Sequence, residues 1–427
     1  MRRVIAGVGL ALATASAGAG AASAGTFEER TYTGAGGSRP YWLYVPDDLR
    51  NRAVPLLVML HGCTQDGPDF AAGTRMNALA DRDSFLVAYP EQLPAANPLG
   101  CWNWFERAHQ ERGDGEPAII AGIAREVMAE RRIDRRRVHV AGLSGGAAMA
   151  TVMGATYPDL VASIGVGAGL EYRAGEDLPS GLAAQQVGGP DPEEQGRLAV
   201  AASDGRARPL PTIVFHGDGD MTVAPVNGEQ VVAQWAQVAD LTDNGRADDS
   251  VDAEPEVSET VTAADRLEAT HELYTGRRGK VIVESWVVHG MTHAWSGGSA
   301  DGSYTEPAGP DASEEMLRFF AANPLPTAAA SARLRLRLRC LAGPRLRVRL
   351  VGDTARVRRA RIELGRRTVR RAKGLPVIHV LRRRTLARTR ARTLRAVVRV
   401  RGYQRAAVLR RPLRRCGASA PSSPGPS

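Results

Sequence analysis

A serine in a glycine-rich turn is the first candidate for chemistry in this 427-residue chain. Ser144 lies within residues 142–146 (GLSGG), between the aliphatic run 137–141 and the small, helix-compatible stretch 147–153. A Gly-x-Ser-x-Gly between a strand and a helix permits a strained turn that lifts the hydroxyl above the sheet edge. The N-terminus of the following helix favours the negative charge that develops on a reacting ester. Ser144 is therefore a candidate nucleophile.

Two later segments supply the partners that such a serine needs. A histidine must take its proton, and a carboxylate must hold the imidazole in the right tautomer. Asp220 follows the apolar run 212–215, and His293 follows the run 281–288. The chain order of serine, acid and histidine is that of α/β-hydrolases. We predict that Ser144, Asp220 and His293 form a catalytic triad.

Each of these turns holds a second candidate. We expect Asp218 to fix its turn by bonding nearby backbone amides, which is a common local role of aspartate. His289 ends its strand, which favours a structural role, whereas His293 lies in the loop beyond it. The other histidines lack paired metal-ligand spacing, so no metal and no cofactor are predicted.

A reacting ester also needs two amides that hold its oxyanion. Gly145 follows the nucleophile, and Cys63 follows an early buried strand, 55–61. These are the two usual positions of the donors. A bridge from Cys63 to Cys101 would anchor the loop that carries one of them.

The aromatic residues near these positions are candidate substrate contacts. Trp102 and Trp104 adjoin Cys101, and Trp295 lies two residues beyond His293. Their flat faces suit an acyl or polymer chain. The alternative is that Trp102 and Trp104 belong to the core, where clustered aromatic residues are common.

The elements that must position these residues alternate between strands and helices. Buried strands are predicted at 55–61, 85–89, 161–166 and 212–216, and helices at 74–83, 118–131 and from Ser144 to about Tyr157. This alternation predicts an α/β fold with an open, mostly parallel, doubly wound sheet, whose ligands bind at the carboxyl ends of the strands. Residues 171–208 are expected to form a loop with one short helix, and residues 242–265 an exposed acidic insertion.

Charge divides the chain into two units. Of the 56 basic residues, 30 lie between Arg333 and Arg415, against two acidic residues there, although the whole chain has a net charge of only +10. Alternating arginine and aliphatic residues at 333–339 and 345–350 predict a sheet with one solvent-exposed face. We predict an α/β domain over 25–322, a linker over 323–332, a small all-β domain with an Ig-like sandwich over 333–417 and a disordered tail over 418–427.

The N-terminus predicts export. Residues 1–24 read as a signal peptide, with a basic start, a short apolar segment and an Ala-x-Ala site. No later apolar run is long enough to span a membrane. Four cysteines allow three connectivities. Pairing within each unit is preferred, joining Cys63 to Cys101 and Cys340 to Cys416.

Five short motifs occur together in the chain. They are LHGCTQ at 60–65, YPEQ at 89–92, CWNWF at 101–105, GLS at 142–144 and HAWSGG at 293–298. In combination they resemble the polyhydroxybutyrate-depolymerase-type esterase family, which includes feruloyl and acetylxylan esterases, over about residues 39–320. The resemblance implies a secreted α/β-hydrolase without a metal, with Ser144, Asp220 and His293 as triad and Cys63 as the early oxyanion donor. The elbow reads Ser-Gly-Gly-Ala where the family pattern has Ser-Ala-Gly-Gly.

The sequence thus predicts a secreted serine esterase that acts on carboxylic esters of a polyester or a polysaccharide. A serine peptidase of the same fold is one alternative. A cell-envelope-binding protein whose basic domain is the working part is another. The arginine-rich domain is expected either to bind anionic envelope or polysaccharide or to be a stabilising appendage. Nucleic acid is not an expected partner, because the protein is expected to be exported. With only two lysines in the chain, a compositional bias toward arginine also explains much of the excess charge. The sequence gives no oligomeric state.

Overall fold

A computed structural model gives the fold of most of the chain. It describes residues 25–49, 52–262, 266–276, 279–327, 334–341, 345–352, 354, 356–365, 367–382, 385, 391–401 and 406–413. The predicted signal peptide, Cys416 and the predicted tail lie outside the described residues. The expected pairing of Cys340 with Cys416 and the expected domain boundaries stay predictions.

A ten-stranded sheet forms the centre of the larger unit. Its spatial order is β1-β2-β4-β3-β5-β6-β7-β10-β9-β8. The six strands from β4 to β10 in this order run parallel, and the strands on both flanks run antiparallel. The strands are β1 (Thr26–Gly34), β2 (Gly37–Val45), β3 (Val54–Leu60), β4 (Leu86–Pro90), β5 (Ile133–Leu143), β6 (Ile164–Gly167), β7 (Thr212–Gly217), β8 (Val257–Val261), β9 (Ala269–Gly276) and β10 (Lys280–Val288). Two short strands, β11 (Trp295–Ser296) and β12 (Thr305–Glu306), pair with each other in parallel.

Helices cover both faces of this sheet, which explains why its central strands are apolar throughout. Along β3, Leu56 and Val58 pack into one core, and Leu57 and Met59 into the core on the opposite face. The helices are α1 (Gly67–Thr74), α2 (Met76–Asp83), α3 (Gly115–Glu130), α4 (Gly145–Thr156), α5 (Leu178–Val187), α6 (Pro192–Ala202), α7 (Val226–Asp243) and α8 (Ala312–Ala322). The predicted α/β class and doubly wound sheet are confirmed.

Some local predictions differ from the structure. The helix expected over 74–83 is α2, which begins at Met76, and a further short helix, α1, precedes it. Arg75 lies between the two helices with a left-handed backbone conformation (φ 55°) that ends α1 before α2 begins. The region 171–208 holds two helices, α5 and α6, each started by an aspartate N-cap and a proline in the first turn. Within the acidic segment 242–265, residues 257–261 form β8, the edge strand of the sheet.

The basic C-terminal unit consists of two antiparallel sheets around one core. Three strands have the order β13-β14-β17 and four the order β16-β15-β18-β19. Leu346 and Val348 from the first sheet and Ile362 and Val398 from the second meet in this core. Seven strands in two packed sheets agree with the predicted β-sandwich. The strands are β13 (Arg335–Leu341), β14 (Arg345–Val351), β15 (Val357–Leu364), β16 (Arg367–Ala372), β17 (Val377–Leu381), β18 (Thr393–Val400) and β19 (Ala407–Pro412).

Within the described residues, no helix has both the length and the apolar character required to cross a bilayer.

Candidate active site

Ser144 occupies a strained turn between β5 and α4. Its backbone has φ 57° and ψ −122°, a combination that residues with a side chain rarely adopt. The flanking glycines make the turn possible. A Cβ on Gly146 would overlap the carbonyl oxygen of Leu60 in β3, and a Cβ on Gly142 would overlap the backbone of Gly146. The turn therefore needs glycine at both positions, as the sequence motif indicated.

Asp220 and His293 lie beyond the ends of the neighbouring strands β7 and β10. The His293 Nδ1 donates to Asp220 Oδ2 at 2.7 Å. The other carboxylate oxygen accepts the amides of Thr222 at 2.8 Å and Val223 at 2.9 Å. These three contacts fix the carboxylate and orient the imidazole.

Asp220 is ionised although it is only 2% exposed. Burial alone would raise the pKa of its carboxyl. The contacts with His216 and His293 lower this pKa by more than burial raises it, so the pKa lies well below its ordinary value. His216 Nε2 donates to the Val223 carbonyl at 2.8 Å and lies 3.5 Å from Asp220 Oδ2. A fixed negative charge beside Nδ1 stabilises an imidazolium, which is what a catalytic base becomes.

The second acid–histidine pair lies apart from the serine. His289 Nδ1 contacts Asp218 Oδ2 at 2.8 Å, and Asp218 Oδ1 accepts the amide of Gly290 at 2.6 Å. Asp218 therefore ties its turn to the next loop, in addition to any bond within its own turn. Both side chains are about two-fifths exposed. Neither lines the cavity that holds Ser144 and His293.

The Cys63–Cys101 disulfide is present and lies over the start of α4. A Cβ on Gly145 would lie 3.2 Å from Cys63 Sγ, which places the two residues side by side. Among the described residues, no protein group accepts the backbone amide of either Cys63 or Gly145. The loop is held by Gln65 Oε1, which accepts the Gly62 amide, and by the Leu99 carbonyl, which accepts the Thr64 amide. Two unpaired amides thus adjoin Ser144.

A buried carboxylate on α3 supports the disulfide loop. Glu116 is fully buried and accepts both the backbone amide and the side-chain amide of Asn103, each at 2.8 Å, and the side-chain amide of Gln92. Burial raises the pKa of the Glu116 carboxyl, and these donors lower it in part. Gln92 also donates to the Cys101 carbonyl at 2.9 Å. Nothing in the sequence pattern singled out Glu116, because an acidic residue in the first turn of a helix is ordinary.

Ser144 and His293 open into one cavity of about 580 Å³. Its wall includes Trp104, one of the three candidate substrate contacts, together with Phe105. Of the described residues that line it, Glu106 alone is acidic and none is a lysine or an arginine. The interior therefore suits an uncharged ligand.

Trp102 and Trp295 do not line this cavity, in contrast to their expected role. Trp102 is fully buried, with its ring 5.7 Å from that of His61. Trp295 is 1% exposed, packs edge-on against Phe70 at 5.4 Å and donates its indole N–H to Ser313 at 3.0 Å. Both belong to the core, which was the alternative for Trp102.

Exposed leucines lie on the rim of the cavity. Leu178 and Leu182 of α5 are 54% and 53% exposed, and Leu99 from the disulfide loop is 65% exposed. Tyr304 completes the rim and is bonded to Thr64 at 3.0 Å. Sequence reasoning missed these residues. The available signal was the pair Leu178 and Leu182, which share a face at helical spacing within an otherwise polar segment.

No group of three or more potential metal ligands (His, Cys, Asp or Glu) occurs in the part of the chain that the structure describes. The arrangement is an elbow serine, a histidine held by an ionised carboxylate, and two unpaired amides beside an apolar cavity.

The chain is similar in sequence to known esterases. The family model for esterase PHB depolymerase matches residues 39–259. The chain is 35% identical to poly(3-hydroxyalkanoate) depolymerase C of Paucimonas lemoignei over 259 residues. The matched region covers 60% of this chain and 58% of that protein. It is 31% identical to acetylxylan esterase A of Emericella nidulans over 206 residues. This match covers 46% of this chain and 66% of that protein.

A solved structure shares the fold. The acetyl xylan esterase from Aspergillus awamori superposes with a TM-score of 0.54 at 23% identity, over 70% of this chain and 99% of that chain. The curated relatives extend well beyond the matched region, since the chain spans less than two thirds of each of the two named above.

Proposed function

The chain belongs to the PHB depolymerase-type esterase family, and from this premise we propose that it is a secreted serine esterase that hydrolyses carboxylic esters. The observation that carries the proposal is the placement of Ser144 and His293 in one cavity, with His293 held by the ionised Asp220 at 2.7 Å. The unpaired amides of Cys63 and Gly145 supply what an ester oxyanion needs. Secretion is supported by the predicted signal peptide and by the Cys63–Cys101 disulfide.

In the proposed mechanism the Ser144 hydroxyl attacks the ester carbonyl as His293 Nε2 takes its proton. The carbonyl oxygen becomes an oxyanion that accepts hydrogen bonds from the Cys63 and Gly145 amides, each typically worth about 2.7–4 kcal/mol of barrier. His293 then protonates the leaving alcohol, which departs from the acyl-enzyme. Water attacks with His293 again as base, and the acid leaves Ser144 free. Asp220 remains ionised throughout and stabilises the imidazolium.

We further propose an aliphatic polyester as the substrate class. The exposed Leu99, Leu178 and Leu182 around the cavity can contact a repeating apolar chain beyond the bond that is cut. A xylan main chain is rich in hydroxyl groups and has less apolar surface to place against these leucines. The depolymerase among the relatives is named for a poly(3-hydroxyalkanoate), and the acetylxylan esterases give the competing substrate.

The test is hydrolysis by the purified full chain and by Ser144→Ala. We expect the parent protein to cleave p-nitrophenyl butyrate and to release 3-hydroxybutyrate from poly(3-hydroxybutyrate), and the variant to lose both activities by at least about 10³-fold. Persistent ester hydrolysis in the variant contradicts the proposal. Faster turnover of acetylated or feruloylated xylan than of the polyester contradicts the substrate class. Cleavage of peptide anilides without ester cleavage favours the peptidase alternative.

A further inference from the structure

On the outer face of the three-stranded sheet in the C-terminal unit, the two neighbouring strands β13 and β14 carry an array of arginines. Arg335, Arg337 and Arg339 point outward from β13, and Arg347 and Arg349 from β14. All five are exposed. We call this surface the arginine face. The strands β13, β14 and β17 contain no acidic residue.

The strand register sets like charges directly opposite one another. Arg337 pairs with Arg349, and Arg339 pairs with Arg347. Like charges at opposed positions destabilise a sheet. Among the described residues none of these four arginines has a carboxylate partner. A bound polyanion would relieve the repulsion that the fold itself leaves uncompensated.

The opposite sheet of the same sandwich also sets arginines opposite one another, Arg361 with Arg371 and Arg395 with Arg410, but a carboxylate lies among them. There Glu363 accepts Arg361 at 2.7 Å and lies 3.8 Å from Arg395. Val397 and Val408 also interrupt the charges on that face. A general arginine bias in composition accounts for arginines on both faces. What distinguishes the arginine face is that its three strands hold no carboxylate.

The spacing of the arginine face suits a particular kind of polyanion. Alternate residues along a strand lie about 6.6–6.8 Å apart. Six backbone bonds of an extended chain span about 6.6–7.2 Å, as they do across two residues of a polypeptide. Successive phosphorus atoms in a glycerol phosphate polymer are separated by six bonds. The guanidinium fork binds phosphate oxygens in pairs.

The third strand adds an apolar border to the array. Ile378 lies opposite Arg349 and Val380 opposite Arg347, and both are exposed. They can contact the carbon chain between phosphates. The described part of this sheet has no Phe, Tyr or Trp side chain on which bases could stack, which is the usual platform for single-stranded nucleic acid.

We propose that the arginine face binds a linear polyol phosphate polymer of the cell-envelope type. The extracellular source of this polymer rests on the proposed secretion, but binding does not depend on ester hydrolysis. The site would hold the enzyme at an anionic surface while the cavity of the larger unit acts on esters.

The test measures binding of the full chain to synthetic poly(glycerol phosphate) over a range of salt concentrations. Replacing Arg337, Arg339, Arg347 and Arg349 together with glutamine should raise Kd at least about tenfold. The slope of log K against log salt should fall by about 0.7 for each arginine that no longer binds a phosphate. Turnover of p-nitrophenyl butyrate should stay unchanged.

A matched control removes the same charge from the other sheet. Replacing the exposed Arg359, Arg370, Arg371 and Arg410 with glutamine should change Kd less than about threefold. Equal losses of affinity in the two fourfold variants overturn the proposal, because binding would then follow net charge alone. If the arginine-face variant fails to fold, Ile378→Glu places a carboxylate opposite Arg349 and should weaken binding; unchanged binding overturns the proposal.

Two competing polymers and one catalytic variant complete the design. Tighter or equal binding of oligo(dT) overturns the polyol phosphate assignment in favour of nucleic acid. Equal binding of polygalacturonate overturns the phosphate preference. Ser144→Ala should bind poly(glycerol phosphate) as the parent does, so a failure of the proposed catalysis and a failure of this proposal are separate results.

Discussion

Replacing Asp220 with asparagine tests whether the buried carboxylate sets the tautomer of His293. Asparagine has the same shape, and its carbonyl oxygen can keep the bonds from the Thr222 and Val223 amides. Its NH₂ group then faces His293 Nδ1, where the carboxylate now accepts at 2.7 Å. The NH₂ group is a hydrogen-bond donor, and the imidazole Nδ1–H at the same contact is a donor too. The imidazole therefore adopts the other tautomer, with its hydrogen on Nε2, and cannot take the proton of Ser144.

The expected loss is large. The equivalent change in a serine protease triad lowers kcat roughly 10⁴-fold, and four decades correspond to about 5.4 kcal/mol of barrier. The structure supports a loss of this size because Asp220 is buried, so its contact with Nδ1 is shielded from water. Its lowered pKa means that the carboxylate remains ionised in mild acid, so protonation of Asp220 does not limit activity there.

The assay is steady-state hydrolysis of p-nitrophenyl butyrate, with thermal unfolding to confirm that each variant is folded. Asp218→Asn is the matched control, because Asp218 holds His289 in a similar contact at 2.8 Å but is exposed and lies outside the cavity. We expect it to retain activity within about threefold. A folded Asp220→Asn protein that keeps more than a tenth of the parent kcat refutes the reasoning, as does an equal loss of activity in Asp218→Asn.

Four further changes have defined outcomes. Gly146→Ala should lower the free energy of unfolding by ~1–3 kcal/mol in denaturant titration, because the added methyl overlaps β3. Cys63→Ser with Cys101→Ser should lower kcat for p-nitrophenyl butyrate by roughly 10²-fold or more if the loop amide leaves its place; unchanged kcat excludes that donor. Leu178→Asp should slow release of 3-hydroxybutyrate from a polyester film while soluble-ester turnover stays within about twofold; equal losses of the two activities contradict a role of the rim in polymer contact. Burial raises the pKa of Glu171 from 4.5 to about 9, and both its carboxylate oxygens are unpartnered. Between pH 4.5 and about pH 9 the folded chain therefore holds a proton that the unfolded chain has released. The free energy of unfolding falls as pH rises through this range, by at most about 1.4 kcal/mol per pH unit. Glu171→Gln should flatten that slope in unfolding measured from pH 5 to pH 9, and an unchanged slope contradicts the assignment.

The sheet and the order of the candidate catalytic residues along the chain were predictable, because both follow from local patterns. Apolar runs that end in glycine or polar turns indicated the parallel strands, and the succession of Ser144, Asp220 and His293 at strand ends indicated the chain order of the site. Alternation in residues 333–350 indicated the strands of the sandwich. The short helix α1 was not predicted, and it ends at Arg75, whose backbone is left-handed.

Side-chain direction in loops limited the prediction of the site. Trp102 and Trp104 are two residues apart, yet Trp104 reaches the cavity and Trp102 packs against His61 in the core. Trp295 was expected to contact substrate because it lies two residues beyond His293. Its indole N–H instead donates to Ser313, away from the cavity. Which loop residue faces a ligand depends on contacts with distant segments, and a local pattern holds no information about them.

The proposed mechanism depends above all on Ser144 being the nucleophile that receives the acyl group. The most direct measurement is the intact and peptide-resolved mass spectrum of the full chain after reaction with a fluorophosphonate ester. We expect one adduct, located on Ser144, formed in parallel with loss of p-nitrophenyl butyrate hydrolysis and absent in Asp220→Asn over the same time. An adduct on another residue that accompanies inactivation, or complete inactivation with Ser144 unmodified, would contradict this role of Ser144.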